Sequence, residues 1–286
     1  MGNMNDLQKE LFEIFKAFVA VCEKHHLRYY LIGGTCLGAV RHKGFIPWDD
    51  DIDVGLPRED YEKFITLQDE FKGTPYFIQT WKSDPKYLYS FAKLRNSNTT
   101  YIENFYKYHQ FNHGVWVDVF PLDGFSKTVK HAKKFAPKVL STWAHVYFCY
   151  PFAMRRKFSK RTFFKDLLIN LFFAWPLWFL NIGHWQNRWV DKKVSKIKFE
   201  DAKLVGLFFG THPKQEAMPK EIFDGYTEGE FEGMKVCLPK DYDQYLTILF
   251  GDYMKLPPKD KQVGHHYNKG FSLTQGYEEY RKEHRM

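Results

Sequence analysis

The chain has 286 residues, 44% apolar, 27% charged and 19% aromatic, a profile that excludes disordered, collagen-like and fibrous classes and fits a folded protein with a sizeable core. Its 42 basic and 34 acidic residues leave a net charge of +8, which favours anionic partners without choosing among nucleotides, nucleic acid and anionic lipid. Cys22, Cys36, Cys149 and Cys237 lie far apart with no C-x-x-C, and the start of the chain is polar, so a reducing cytoplasm is expected; the 12 histidines show no zinc spacing.

Asn5 to His25 carries Leu7, Leu11, Ile14, Phe15, Phe18 and Cys22 at helical spacing, and Asn5 with Gln8 makes a capping box. Tyr29 to Ile32 reads as a short strand entering a tight turn at Gly33-Gly34. Further strands are expected at Tyr76–Trp81, Tyr87–Leu94, Val115–Phe120, Lys203–Phe208 and Met234–Leu238, with helices over Arg58–Phe71, around Lys130–Tyr150 and over Lys240–Phe250. Irregular alternation of the two makes the class α+β, or mixed α/β. At ~150 residues per domain, one elaborated core is expected.

Composition shifts after Met154. Arg155–Arg161 has five basic residues in seven, and Leu167–Ile182 carries no charge. As a helix those residues reach ~24 Å, short of the ~30 Å bilayer core, and Asn170, Pro176 and Asn181 interrupt them. The stretch therefore reads as a buried helical hairpin or an in-plane membrane contact, and not as a span. Residues 1–154 are expected to form a catalytic core, 155–200 an inserted basic and apolar helical segment, and 201–286 a part completing the core.

The most informative run is Leu31–Leu56, LIGGTCLGAVRHKGFIPWDDDIDVGL. Like charges packed this closely raise one another's pKa unless something neutralises them, and a divalent cation is the simplest neutraliser. If Asp51–Gly55 is a strand, Asp51 and Asp53 share one face about 7 Å apart. Hard oxygen donors without sulfur or imidazole favour Mg²⁺ or Mn²⁺, which leave positions open for phosphates. A solvated acidic turn is the plainer alternative; a Ca²⁺ loop would need a twelve-residue pattern that is absent.

Gly33, Gly34 and Thr35 follow a strand and offer backbone N–H groups and a hydroxyl to an anion, with a helix expected from Cys36 to Arg41. Arg41 and His42 are placed to contact phosphates or to sit on the surface. Asp118 is a lone charge in the apolar run VWVDVF, a third acid or half of a structural ion pair. Asp123 reads as a turn or helix-cap residue. Lys93 and Arg95 share a strand face, suited to gripping a second phosphate or to solubilising an edge strand.

The run GGTCLGAVRHKGFIPWDDDIDVGLPREDYEKF resembles the signature of the LicD family, bacterial phosphocholine transferases related to the fukutin proteins. The resemblance continues at KLRNSNTTYIE, at GVWVDVFPLDG and, more loosely, at PKDYDQYLTILFGDYMKLPP with His265. It implies a nucleotidyltransferase-like fold, a small mixed sheet flanked by helices, with Gly33, Gly34 and Thr35 on the phosphate turn. It also implies Asp51, Asp53 and Asp118 as catalytic acids and ligands of Mg²⁺ or Mn²⁺, with Asp118 accepting the acceptor's proton. Substrate binding falls to Gly33, Gly34, Thr35, Arg41, His42, Lys93, Arg95 and His265; where the family often carries an arginine before the histidine, this chain reads Lys259-Asp260-Lys261-Gln262.

The implied reaction moves a phospho-alcohol, phosphocholine from CDP-choline foremost, to a hydroxyl of a lipid-linked glycan or teichoic acid precursor, releasing CMP at the inner membrane leaflet. An NTP-dependent nucleotidyltransferase releasing pyrophosphate is the near rival. A nucleic-acid-binding module or a silent membrane adaptor is the distant one. No nucleic-acid partner is expected, because the basic residues are spread along the chain apart from one run and no RRM, helix-turn-helix or finger signature appears.

Overall fold

A computed structural model describes residues 4–87, 89–106, 110–125, 164, 188, 191–192, 195–207, 217–264, 266 and 268–284. Five α-helices are found there: α1 (Asp6–Lys24), α2 (Gly33–His42), α3 (Arg58–Phe64), α4 (Tyr242–Phe250) and α5 (Tyr277–Glu283). The strands are β1 (Tyr30–Leu31), β2 (Asp53–Pro57), β3 (Tyr76–Gln79), β4 (Ala92–Asn96), β5 (Thr100–Glu103), β6 (Val115–Phe125), β7 (Leu204–Gly206), β8 (Met218–Pro219), β9 (Tyr226–Phe231), β10 (Met234–Pro239) and β11 (Asn268–Ser272).

The main sheet runs β1-β2-β6-β4-β3, with β7 on the far half of β6 and β8 on β7. Among the described strands of this sheet only β2 and β6 pair in parallel, so the class is mixed α+β as expected. Pro121 has no N–H to give, and it falls where β6 exchanges β4 for β7 as its neighbour. Two separate ribbons, β9/β10 and β5/β11, complete the described strands.

The capping box of α1 forms as read: Asn5 Oδ1 accepts the Gln8 N–H at 2.8 Å, and Gln8 Oε1 accepts the Asn5 N–H at 3.1 Å. The helix buries Leu11, Ile14, Phe15, Phe18 and Cys22 over β4 and β6. Gln8 does a second job, its Nε2 donating to the Asp49 carbonyl at 3.0 Å, so the first helix also anchors the acidic run.

Four expectations need correcting. The helix from Arg58 stops at Phe64, because Ile65-Thr66 is a β-branched pair and the Thr66 hydroxyl takes the Lys63 carbonyl at 2.7 Å; a short 3₁₀ turn, Gln68–Phe71, follows. Tyr87, Tyr89 and Phe91 are not in a strand but pack ring against ring ahead of β4. β2 begins at Asp53, so Asp51 lies in its lead-in rather than in the strand. Asp123 is no turn residue: it lies in β6, fully buried, with Arg58 clamped on it. The expected helix around Lys130–Tyr150 and the charge-free stretch Leu167–Ile182 lie outside the described residues. Among the described residues, no helix is long and apolar enough to cross a membrane.

Candidate active site

Cross-strand register builds the centre of the site. Asp53 in β2 faces Asp118 in β6, and Asp118 faces Lys93 in β4, so two acids and a cation stand abreast on adjacent strands. The segment before β2 brings Asp49, Asp50 and Asp51 to the same end of the sheet. The first turn of α2 closes on them. A β-carbon on Gly33 would lie 3.2 Å from Asp53 Oδ2, and one on Gly34 would lie 3.1 Å from Asp49 Oδ2.

The helix therefore starts earlier than the sequence implied, at Gly33 rather than Cys36. Gly33 also has φ +55°, a left-handed backbone that glycine adopts without strain. Both glycines permit carboxylates to approach the N-terminus of a ten-residue helix, where N–H groups and the positive end of the dipole favour negative charge. Thr35 is buried, and its Oγ1 accepts the Asp53 N–H at 2.9 Å, tying the start of α2 to the start of β2. Thr35→Val would leave that N–H without its acceptor and should cost about 1–3 kcal/mol in denaturant unfolding, with Thr35→Ser close to wild type.

Electrostatics show how crowded the acids are. Burial first, and then the charges of Asp51 and Asp50, push Asp49 up to about 8. Burial, then Asp51, Asp118 and Asp49, hold Asp53 well above the usual carboxylate range, with Lys93 working in the other direction. Such a group of hard oxygen donors, short of positive charge, is suited to a divalent cation.

Asp118 differs from its neighbours. Its Oδ2 accepts the Trp116 Nε1–H at 2.9 Å, while Oδ1 faces the Lys93 ammonium at 2.7 Å as an ion pair without a hydrogen bond's alignment. Lys93 and Arg95 share a face as alternation requires, but both are buried. Arg95 donates to Gln79 and, at 2.6 Å, to the Gly114 carbonyl, so its guanidinium is engaged inside the protein rather than offered to a phosphate. Arg41 donates to the Tyr253 carbonyl at 2.7 Å and to His42 Nδ1 at 3.4 Å; burial and that neighbouring cation lower the His42 pKa.

The sequence reading named His265, which lies outside the described residues, and missed His266. Its backbone N–H donates to Asp50 Oδ2 at 3.0 Å, its Nδ1 stands 3.1 Å from Asp50 Oδ1 and 3.8 Å from Asp51 Oδ2, and its ring meets Trp116 edge-on. One ligand atom each from Asp50, Asp51 and His266 lies within 4.8 Å of the others, a group able to hold a metal ion. The paired histidines after Gly264 were the only hint in the sequence. Tyr245 was missed too: in α4 it looked like one more core aromatic, yet its hydroxyl accepts the Gly33 N–H at 2.9 Å.

Burial works against the imidazolium of His266, but the Asp50 hydrogen bond and the Asp51 charge outweigh it and push the group up to about 9. His266 and Asp49 both bind protons more tightly folded than unfolded, so their stabilisation is present at low pH and lost as pH rises through the folded values. Metal-free protein should therefore lose stability between pH 6.5 and about 9, His266 contributing up to about 3 kcal/mol of the fall. Thermal unfolding in chelator checks this; a rising midpoint, or the same slope in His266→Gln, contradicts it.

Comparison with known proteins identifies the family. The family profile described as LicD/FKTN/FKRP, nucleotidyltransferase domain, matches residues 26–164. The lipopolysaccharide cholinephosphotransferase LicD of Haemophilus influenzae is 30% identical over 272 residues, 94% of this chain and 98% of that protein. The ribitol 5-phosphate transferase FKRP of Homo sapiens is 46% identical over 52 residues, 18% of this chain and 10% of that protein. The ribitol-5-phosphate transferase FKTN of Mus musculus is 31% identical over 88 residues, 31% of this chain and 18% of that protein. With near end-to-end similarity to one of its members and the acidic run, glycine turn and strand acid at one end of a mixed sheet, the chain belongs to the LicD family.

Proposed function

We propose that the protein transfers phosphocholine from CDP-choline to a hydroxyl of a cell-surface glycan or teichoic acid precursor, releasing CMP. The coarser statement, that it is a transferase of substituted phosphate groups, follows from the family and from its relatives, named as cholinephosphate and ribitol-phosphate transferases. The observation that supports the finer reading is the meeting of Asp53 and Asp49 with the first turn of α2, acidic oxygens suited to a cation beside an anion-favouring helix end.

A divalent cation bound by Asp51 and Asp53, Mg²⁺ or Mn²⁺ by its hard oxygen donors, would neutralise oxygens of the donor diphosphate. In this reading the amides of Gly34 and Thr35, at the first turn of α2, would take up charge on that diphosphate, while the Tyr245 hydroxyl binds the start of α2 and the Thr35–Asp53 bond ties α2 to β2. His266 is braced by Asp50 and Trp116 at the edge of the acidic run. As the structure stands, Asp118 can take a proton from an acceptor hydroxyl only after the Lys93 ammonium moves. A lipid-linked acceptor at the cytoplasmic face of the membrane would give the basic and apolar stretch 155–182 its purpose, and deleting it should then weaken liposome binding.

The test is a panel of CDP-choline, CDP-ribitol and CDP-glycerol with Mg²⁺ and a lipopolysaccharide acceptor, read as CMP release. Release from CDP-choline alone is the expected result; pyrophosphate from an NTP, with no CMP from any member of the panel, would establish the nucleotidyltransferase reading instead.

A further inference from the structure

Lys93 is a buried cation to which the transfer just described gives no role beyond its hold on Asp118. Its side chain is 4% exposed, and its Nζ stands 2.7 Å from Asp118 Oδ1. The same ammonium lies 4.0 Å from the ring centroid of Trp116, 5.4 Å from that of Tyr89 and 5.7 Å from that of Phe91. Trp116 at once covers the ammonium with its face and donates its Nε1–H to the other oxygen of Asp118. A charge taken out of water is kept only where anions and π faces replace its hydration, and Lys93 has one of the first and three of the second. The place is built to receive a cation.

Strand register puts that cation directly across from Asp118 on the neighbouring strand, and Asp118 directly across from Asp53 on the next. In two-metal phosphoryl-transfer sites the ions stand about 3.5–4 Å apart and a shared carboxylate bridges them. Here the strand acid that would complete the second ion's shell has an ammonium against one oxygen and an indole N–H on the other. We propose that Lys93 takes the place of a second divalent cation, so that the protein binds one divalent ion, through Asp51 and Asp53, and Asp118 acts as a positioning residue that holds the lysine beside Asp53. This rests on the reading of Asp51 and Asp53 as cation ligands.

Manganese titration of the full chain, followed by the electron paramagnetic resonance of free Mn²⁺, counts the sites without reference to turnover. Wild type should bind one Mn²⁺. Asp118→Asn, which keeps the side chain's shape, should still bind one, with affinity lowered by no more than about 10–100-fold, since an outer partner and not a ligand is altered. Lys93→Arg should bind one, and Lys93→Met, with two acids left unneutralised, should bind two. Should Lys93→Met fail to fold by circular dichroism, wild type and Asp118→Asn decide alone. Two Mn²⁺ on the wild-type chain, or loss of the ion in Asp118→Asn, overturns this inference and leaves the cation reading intact; no Mn²⁺ binding by wild type overturns both.

Discussion

Asp53→Asn should lower transfer by at least about 10³-fold while leaving the metal-free fold as stable as wild type or more so. The two halves come from one cause. Asp53 is crowded by burial and by the charges of Asp51, Asp118 and Asp49, which hold its carboxyl well above the ordinary range. The amide has nearly the same shape and no charge, so it relieves repulsion when no cation is present and removes a ligand when one is needed. A merely structural acid would behave in the opposite way, losing stability with little effect on rate. CMP release and a thermal melt in chelator, run on the same preparation, separate the two; near-normal turnover by Asp53→Asn would contradict the cation assignment.

Arg58→Met should destabilise the protein by about 3–5 kcal/mol, because it leaves the fully buried carboxylate of Asp123 without its cation. The pair is bidentate, Nε to Oδ1 at 2.7 Å and Nη2 to Oδ2 at 2.8 Å, and Nη1 reaches Glu62 and Asp191 at 3.0 Å each. Replacing both partners, as in Arg58→Met with Asp123→Leu, should recover most of the loss, since no charge is then stranded in the core. Urea unfolding of the three proteins checks it. A single variant within 1 kcal/mol of wild type would show that water reaches the pair. β6 thus carries an acid and its cation at each end, Asp118 with Lys93 near the site and Asp123 with Arg58 away from it.

What the sequence disclosed were the features written in local spacing. The capping box of α1, the acids around Asp53, the lone charge of Asp118 and the shared face of Lys93 and Arg95 all follow from periods of 3.6 and 2 and from charge where charge is costly. Long-range partners were hidden. Nothing local distinguishes Tyr245 from a core tyrosine or His266 from His265; each gains its role by crossing some two hundred residues to meet Gly33 or Asp50. Asp123 was misread for the same reason. After Pro121-Leu122 it has the look of a turn, and only Arg58, 65 positions earlier, makes a strand interior tolerable for it.

Lys93 and Arg95 make the point most sharply. Alternation placed them together, but burial decided their use, turning one toward Asp118 and the other toward Gln79 and the Gly114 carbonyl. The glycines are a subtler case. Their value to an anion was legible, but the carboxylates of Asp53 and Asp49, which leave no comfortable room for side chains there, became visible only in three dimensions.

Calorimetric titration of CDP into the purified protein, with Mg²⁺ and then with chelator, bears most directly on the site, because CDP carries the diphosphate without a head group whose identity would matter. Binding that needs Mg²⁺ and weakens at least tenfold in Asp53→Asn is the expected result. Equal affinity with and without the metal, or in wild type and Asp53→Asn alike, would mean that the diphosphate is held somewhere other than between the acidic run and the first turn of α2.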